Sequence, residues 1–508
     1  EARPIPGTEG GSFPFWSPDG HSLGFFAYGK LKTISTSGGA AQTLADAPTA
    51  RGGTWNAEGV IVFGPDATSP LERVSASGGP VSPVTTVDKA RAESGHRWPV
   101  FLPDGRHFLF LARNTRQSEE AICVGSLDSK EKAILLRSSS RPLYAAPGYL
   151  LYSAGRNLLA RPFDASALRL TGEPMPVAEN VDTIGETGPT GWVRMAVSTA
   201  GVLAFRREGE RLGRLTWFDR TGKAFGTVGP AGDYNDPALS PDGTRLALVR
   251  MDPKSRSADV WSLDLAREAF TRLSFDASDH VLPVWSPDGK RVVYSSGKLG
   301  VPYLAWKPSG GGGTEEVFLK TDDFSFPGDW SRDGRFFLYE TYNPKTLFDL
   351  WVLPRPGPGK PMPYVVAPGL QRHGRFSPNS RWVAYTSDES GRQEIYVQAF
   401  PSAGGQWQVS SDGGDQANWR GDGRELFYLN SQLDLMAVDI REDEAFQAGT
   451  PHLLFRISTP DIVGIGGTHC SYIPAPDGKR FLVNSRVEGA PAPSIVVVLK
   501  WTALLRKP

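Results

Sequence analysis

The sequence predicts an all-β fold built from repeated four-stranded antiparallel units. Three observations predict it. A dozen residues of the form "WSPDGKRVVYSS" (Trp285–Ser296) recur along the chain, as "FWSPDGHSLGFF" from Phe15, "FLPDGRHFLFLA" from Phe101, "LSPDGTRLALV" from Leu239, "WSRDGRFFLYE" from Trp330 and "FSPNSRWVAYTS" from Phe376. The repeat has a period near 40–45 residues. No helical periodicity of any length interrupts it.

Each copy is a hairpin. Pro presets φ for a turn, Asp bonds its own backbone, and Gly accepts a positive φ. The run that follows is rich in β-branched and aromatic residues, as strands are. A second strand–turn–strand pattern comes next: "VPYLAWKPSGGGGTEEVFL" after Ser296, "DVWSLDLAREAFTRLSF" from Asp259 and "EIYVQAFPSAGGQWQVSS" from Glu394. One unit is therefore four strands. The turns fall near Pro18, Ala57, Pro103, Pro147, Thr199, Pro241, Pro287, Arg332, Pro378, Gly421 and Pro476. Their spacing is mostly 39 to 46 residues, with 52 and 55 before Thr199 and Pro476. Such units cannot bury their apolar faces alone, so they stack as blades around an axis. The expectation is a pair of tandem β-propellers with about eleven blade units.

The 508 residues exceed one ordinary core. "LRLTGEPMPVAENV" (Leu168–Val181) and "EAFQAGTPHLLFRI" (Glu444–Ile457) each precede a long insertion and an atypical turn. This internal likeness places the split near residue 232, giving an N-terminal propeller over 1–232 and a C-terminal one over 233–508. The last unit has a third strand, "SIVVVLKW" (Ser494–Trp501), and no clear fourth, while "ARPIPG" at the start reads as a fourth strand without a unit. Pairing of the C-terminal strands with the N-terminal strand would nest one propeller inside the other.

Lys+Arg and Asp+Glu balance at 55 each. A nucleic-acid partner would demand a basic excess, so none is expected. Cys123 and Cys470 fit neither a metal-ligand spacing nor a disulfide framework. No apolar run reaches the roughly 18 residues of a membrane span. Blade sequence starts at once and shows no signal peptide, so membrane attachment or export would depend on a segment outside this chain.

Catalytic signatures are missing. There is no kinase loop set, no Gly-x-Ser-x-Gly elbow and no His-Glu-x-x-His. "GGGG" at Gly310–Gly313 joins two strands and precedes no helix N-terminus, so it is a turn rather than a phosphate cradle. The Asp of each turn is accounted for by turn chemistry. The Trp16, Trp55, Trp285, Trp330 and Trp419 positions read as packing between blades, with a sugar-stacking platform as the other reading.

One constellation remains. His96, His280 and His469 lie seven residues before a turn, and His373 lies five before Pro378. Arg97, Tyr234, Asp236, Asp279, Arg372, Gln416 and Thr468 share that neighbourhood. In a propeller this register enters the innermost strand, at the channel mouth. Three readings compete: side chains bonding neighbouring blades, a ligand or partner site at the mouth, and a metal site. The expected ligand-binding set is His96, Arg97, Asp236, Asp279, His280, Arg372, His373, Gln416 and His469, with no metal or other cofactor.

The Ser-Pro-Asp-Gly hairpins resemble the repeats of TolB-like propellers over nearly the whole chain. The ordered phrases "GTEGGSFPFWSPDGHSLGFFAYGKLKTI", "RGGTWNAEGVIVF", "HRWPVFLPDGRHFLFLAR", "RLTWFDRTGK", "YTSDESGRQEIYVQAFP" and "IVVVLKWTALLRK" resemble the extracytoplasmic sensor region of bacterial membrane-anchored serine/threonine kinases. That resemblance implies a non-catalytic binding or sensor module outside the cytoplasm, docking a protein or small ligand at a channel mouth. Two alternatives stay open. One is a carbohydrate lyase or hydrolase using channel histidines, with His280 and Arg372 as base and carboxylate binder, since some related propellers are pectin-fragment lyases. The other is a periplasmic scaffold that binds another envelope protein.

Overall fold

The computed structural model describes residues 5–184, 192–207, 211–252, 257–275, 278–297, 303–321, 324–343, 346–355, 357, 359–401, 404–442, 446–460, 470–489 and 494–505. Within them the chain is all-β apart from short 3₁₀ turns at Lys89–Arg91, Gln117–Glu119 and Trp501–Leu505. Among the described residues six of the eleven sheets are four-stranded and antiparallel, and five of those six run consecutively in sequence, as propeller-like blades do. No helix among the described residues is long and apolar enough to cross a membrane.

The hairpin turns form for the reason the sequence indicates. Ser17, Ser240, Ser286 and Ser331 donate their hydroxyls to the Asp two residues on, at 2.5–2.7 Å. Each Asp oxygen then accepts the amide two residues further, at His21, Thr244, Lys290 and Arg335 (3.0 Å in every case). The same serine oxygen accepts the amide five residues on, which starts the second strand. Asn379 replaces the Asp after Ser377 with unchanged geometry. These carboxylates are turn residues.

Two ladders join distant parts of the chain. Ile495–Leu499 pairs antiparallel with Val202–Arg206, from Val202↔Leu499 to Arg206↔Ile495. Gly213–Asp219 pairs with Arg480–Arg486. The chain accordingly divides into one unit of Glu1–Gly209 with Pro491–Pro508 and another of Glu210–Ala490. A division near residue 232 would leave Gly213–Asp219 with the N-terminal half; its ladder to Arg480–Arg486 assigns it to the second unit. The returning C-terminal strand pairs with Val202–Arg206; the first half of the N-terminal "ARPIPG" segment lies outside the described residues.

In the first unit, apolar clusters lie between successive sheets. Phe26, Leu31, Ile61 and Phe63 fill the first such layer. Val62, Phe108, Phe110 and Cys123 fill the next, then Leu109, Ile122, Leu150 and Phe163, and then Leu151, Leu158, Leu203 and Phe205. In the second unit the layers run the same way, from Val260 against Tyr294 to Phe427 against Phe481. A further cluster packs Leu215 and Leu482, of the last sheet, against Leu246 and Leu263 of the first.

The tryptophan positions divide. Trp285 Nε1 donates to Ala238 O at 2.8 Å and Trp419 Nε1 to Arg375 O at 3.1 Å, each on the preceding sheet. These two pack between sheets. Trp16 is 60% exposed.

A bulge marks the first strand of many sheets. Register slips between Ser12 and Phe15, Asn235 and Ala238, Val281 and Val284, Arg372 and Arg375, and Asp415 and Asn418. One residue in each bulge takes a positive φ: Phe13 at 48°, Asp236 at 51°, Leu282 at 58°, His373 at 54° and Gln416 at 58°. Non-glycine residues rarely adopt this conformation, which costs about 1 kcal/mol or more. Bulges re-aim side chains, and these set the geometry of the site in the second unit.

Candidate functional site

A cavity in the second unit is lined by Leu282, Pro327, Gly328, Glu340, His373, Arg375, Gln416, Ala417, Asn418 and Cys470. First strands of several sheets contribute, and Leu282, His373 and Gln416 are the positive-φ bulge residues. The space is about 30 Å³, room for one or two waters.

His373 is the most elaborately held group. Its Nδ1 lies 2.6 Å from Asp415 Oδ1. The same oxygen accepts the Thr386 hydroxyl at 2.9 Å and the Gln416 amide at 2.8 Å. Burial pushes the Asp415 carboxyl up, but the charge and hydrogen bond of His373, with the Thr386 hydroxyl and Gln416 amide, outweigh it and hold it below the usual carboxylate value. Behind the ring, Glu340 Oε1 accepts the His373 amide at 2.6 Å. The other nitrogen, Nε2, has no hydrogen-bond partner among the described residues.

The remaining polar groups hold the walls. Gln416 Oε1 accepts the Ser471 amide at 2.8 Å, and Gln416 O accepts the Tyr472 hydroxyl at 3.0 Å. Asp236 Oδ1 accepts the Cys470 amide at 3.0 Å. Arg375 donates to Gly328 O. The Cys470 thiol lies 3.2 Å from Tyr472 O, and burial raises its pKa, so it is a thiol rather than a thiolate.

The other expected residues lie elsewhere. Arg372 is 3% exposed, 3.3 Å from Glu340 Oε2 and stacked 4.3 Å from the Phe348 ring. His280 is fully buried, edge-on to Tyr294 and 3.8 Å from Glu315 Oε2. Neither lines the cavity, so the structure does not bring His280 and Arg372 together there. Asp279 Oδ1 accepts the Ala258 amide at 3.0 Å. Tyr234 donates to Pro230 O. His469 and Thr468 lie outside the described residues.

His96 and Arg97 belong to the first unit. His96 bridges Thr85 Oγ1 (2.8 Å) and Glu93 Oε2 (3.2 Å), and Arg97 donates to Ala67 O at 3.0 Å. Burial lowers the His96 pKa against the pull of Glu93, which keeps the imidazole neutral. Both side chains tie their strand to neighbouring loop residues, Thr85 and Ala67.

Sequence reasoning missed Asp415, Glu340, Arg375, Asn418 and Cys470 as parts of the site. Asp415 stands six residues before the turn at Gly421, beside Gln416, and register alone could have found it. A second signal went unused: Pro, Gly or Ala follows each bulge residue, at Pro14, Pro237, Pro283, Gly374 and Ala417. Glu340 sits on a second strand and carries no such signal. Among the described residues no group of three or more His, Cys, Asp or Glu is placed to hold a metal ion.

The sequence matches no protein-family model. Solved structures similar to the chain include the putative TolB from Agrobacterium tumefaciens, at 17% identity and a TM-score of 0.41 over 54% of this chain and 97% of that one. TolB from Acinetobacter baumannii matches at 16% identity and 0.40, over 62% and 81%. The tricorn protease matches at 11% identity and 0.35, over 87% and 58%.

Proposed function

We propose that this chain is a non-catalytic TolB-like propeller module, with the sheets of each unit closed into a ring. A protein partner or ligand places a small polar group in the His373 cavity. The observation that carries this reading is His373 itself. One nitrogen is fixed by Asp415, and the other has no hydrogen-bond partner among the described residues, on a side chain that lines a cavity of mixed polar and apolar groups. The carboxylates around it hold backbone amides or other side chains rather than a reacting group. The Cys470 thiol is protonated. We read the arrangement as one that recognises a polar group rather than one that activates a nucleophile.

A cavity of about 30 Å³ admits a side-chain tip, not a sugar ring. That favours a protein or peptide partner. The sensor phrases of the sequence add the finer reading: this is the extracytoplasmic sensor part of a receptor-type serine/threonine kinase, anchored through a segment outside this chain.

Phage-displayed peptides selected on the protein, then measured on His373→Phe, test the proposal. The variant fills the cavity. The expected result is binding weakened about tenfold or more in a variant that still unfolds cooperatively, with a melting temperature lowered by the loss of the bond to Asp415. Binders indifferent to His373→Phe would overturn it. So would turnover of an oligosaccharide or ester that the variant abolishes.

A further inference from the structure

Arginine recurs near one register in the unit of Glu1–Gly209 with Pro491–Pro508. Arg51, Arg97 and Arg141 stand six residues before the turns at Ala57, Pro103 and Pro147, and Arg194 stands five before Thr199. Three of the four are engaged. Arg51 donates to Thr49 O and Ala50 O at 2.8 and 2.9 Å. Arg97 donates to Ala67 O and feels the charge of Glu120. Arg194 pairs with Asp182 at 3.2 Å.

Arg141 differs. No carboxylate among the described residues pairs with it, and burial alone lowers its pKa to about 9. Its guanidinium carbon lies 3.9 Å from the Trp192 ring centroid. Trp192 packs on Trp98 at 4.6 Å and on Phe13 at 5.1 Å, and those two rings meet at 4.9 Å. Trp98 is 1% exposed and forms the base of the cluster, while Phe13, Trp192 and Arg141 keep partial exposure.

A cation partly withdrawn from water, with no counter-charge among the described residues, is costly. Stacking on an indole face recovers part of that cost. A stacked guanidinium also keeps its edge free, and that edge presents two parallel N–H groups. We propose that Arg141 on Trp192 is a binding site for the carboxylate of a small organic acid, whose apolar body lies against Phe13 and Trp192. A single planar cation suits a planar monoanion. A phosphate dianion would call for a second free cation, and Arg51, Arg97 and Arg194 are already bonded. This site lies in the unit that does not contain His373, and it stands independently of the function proposed above.

Benzoate and its uncharged isostere benzamide, titrated into the full chain at low salt, test it by calorimetry and tryptophan fluorescence. Benzoate is expected to saturate and change the fluorescence, and benzamide to bind about tenfold more weakly or worse. Arg141→Met abolishes benzoate binding, and Arg141→Lys, which keeps the charge and loses the fork, weakens it about tenfold. His373→Phe leaves it unchanged, which separates this site from the cavity. Equal binding of the two probes, wild-type affinity in either Arg141 variant, or no saturation up to roughly 10 mM benzoate would overturn the assignment.

Discussion

Replacing Glu93 by Gln tests the electrostatics of the first unit most directly. Glu93 Oε2 accepts the Asp88 amide at 2.8 Å, Lys132 Nζ at 2.9 Å and His96 Nε2 at 3.2 Å. Burial alone would push this carboxyl up; the bonds from His96, the Asp88 amide and Lys132 reverse that and bring it to about 2, from 4.5. The side chain is only 10% exposed, so solvent screens little of the effect. At ~1.36 kcal/mol per pH unit, the shift is worth about 3 kcal/mol. Because the folded pKa is depressed, this stability is fully present above pH 4.5 and is lost as pH falls through 2. Amide hydrogen exchange of Glu93–Phe101 and His107–Asn114 reads this sheet separately from the rest of a two-unit chain. Wild type is expected to exceed Glu93→Gln in protection by about 300-fold at pH 7 and about tenfold at pH 3. An equal gap at both values would refute the charge argument and leave only lost packing.

Other consequences follow from the same geometry. His96 has a pKa lowered by burial, so its sheet keeps this stability above pH 6.5 and loses it as pH falls below; His96→Asn is expected to flatten that part of the exchange profile. Glu340→Gln leaves buried Arg372 without a counter-charge and is expected to cost about 3 kcal/mol by urea unfolding, most of it recovered by adding Arg372→Met. Trp285→Phe loses the bond to Ala238 O and is expected to cost about 1–2 kcal/mol, whereas Trp16→Phe stays within about 0.5 kcal/mol in the same assay. Gly289 has a φ of 67° in its turn, so Gly289→Ala is expected to lower stability by about 1 kcal/mol.

The site was partly legible. Counting residues back from each turn located His373, Gln416 and Asp236, the last bonded to the cavity wall, because every sheet enters its first strand the same way. The same count also selected His96 and His280, which are buried and do not line the His373 cavity. A bulge breaks the strict alternation of a strand, so positions seven and five before the turn stop sharing an environment. Arg372 is turned toward Glu340 and Phe348 while its neighbour His373, at φ 54°, lines the cavity. Glu340 was out of reach, because its role depends on a neighbouring sheet brought against it.

The amino-acid sequence by itself determined the hairpins and the four-stranded unit. Ser, Pro, Asp and Gly close the turn through bonds spanning two to five residues, and so short a range is written in adjacent letters. Tertiary structure alone decided the grouping of the chain and the shape of the cavity. Ile495–Leu499 returns to Val202–Arg206, and Gly213–Asp219 finds Arg480–Arg486, across more than 250 residues. Any well-formed strand edge offers the same amides and carbonyls. The choice among edges is made by the layers that pack behind them, and those exist only once the sheets have assembled.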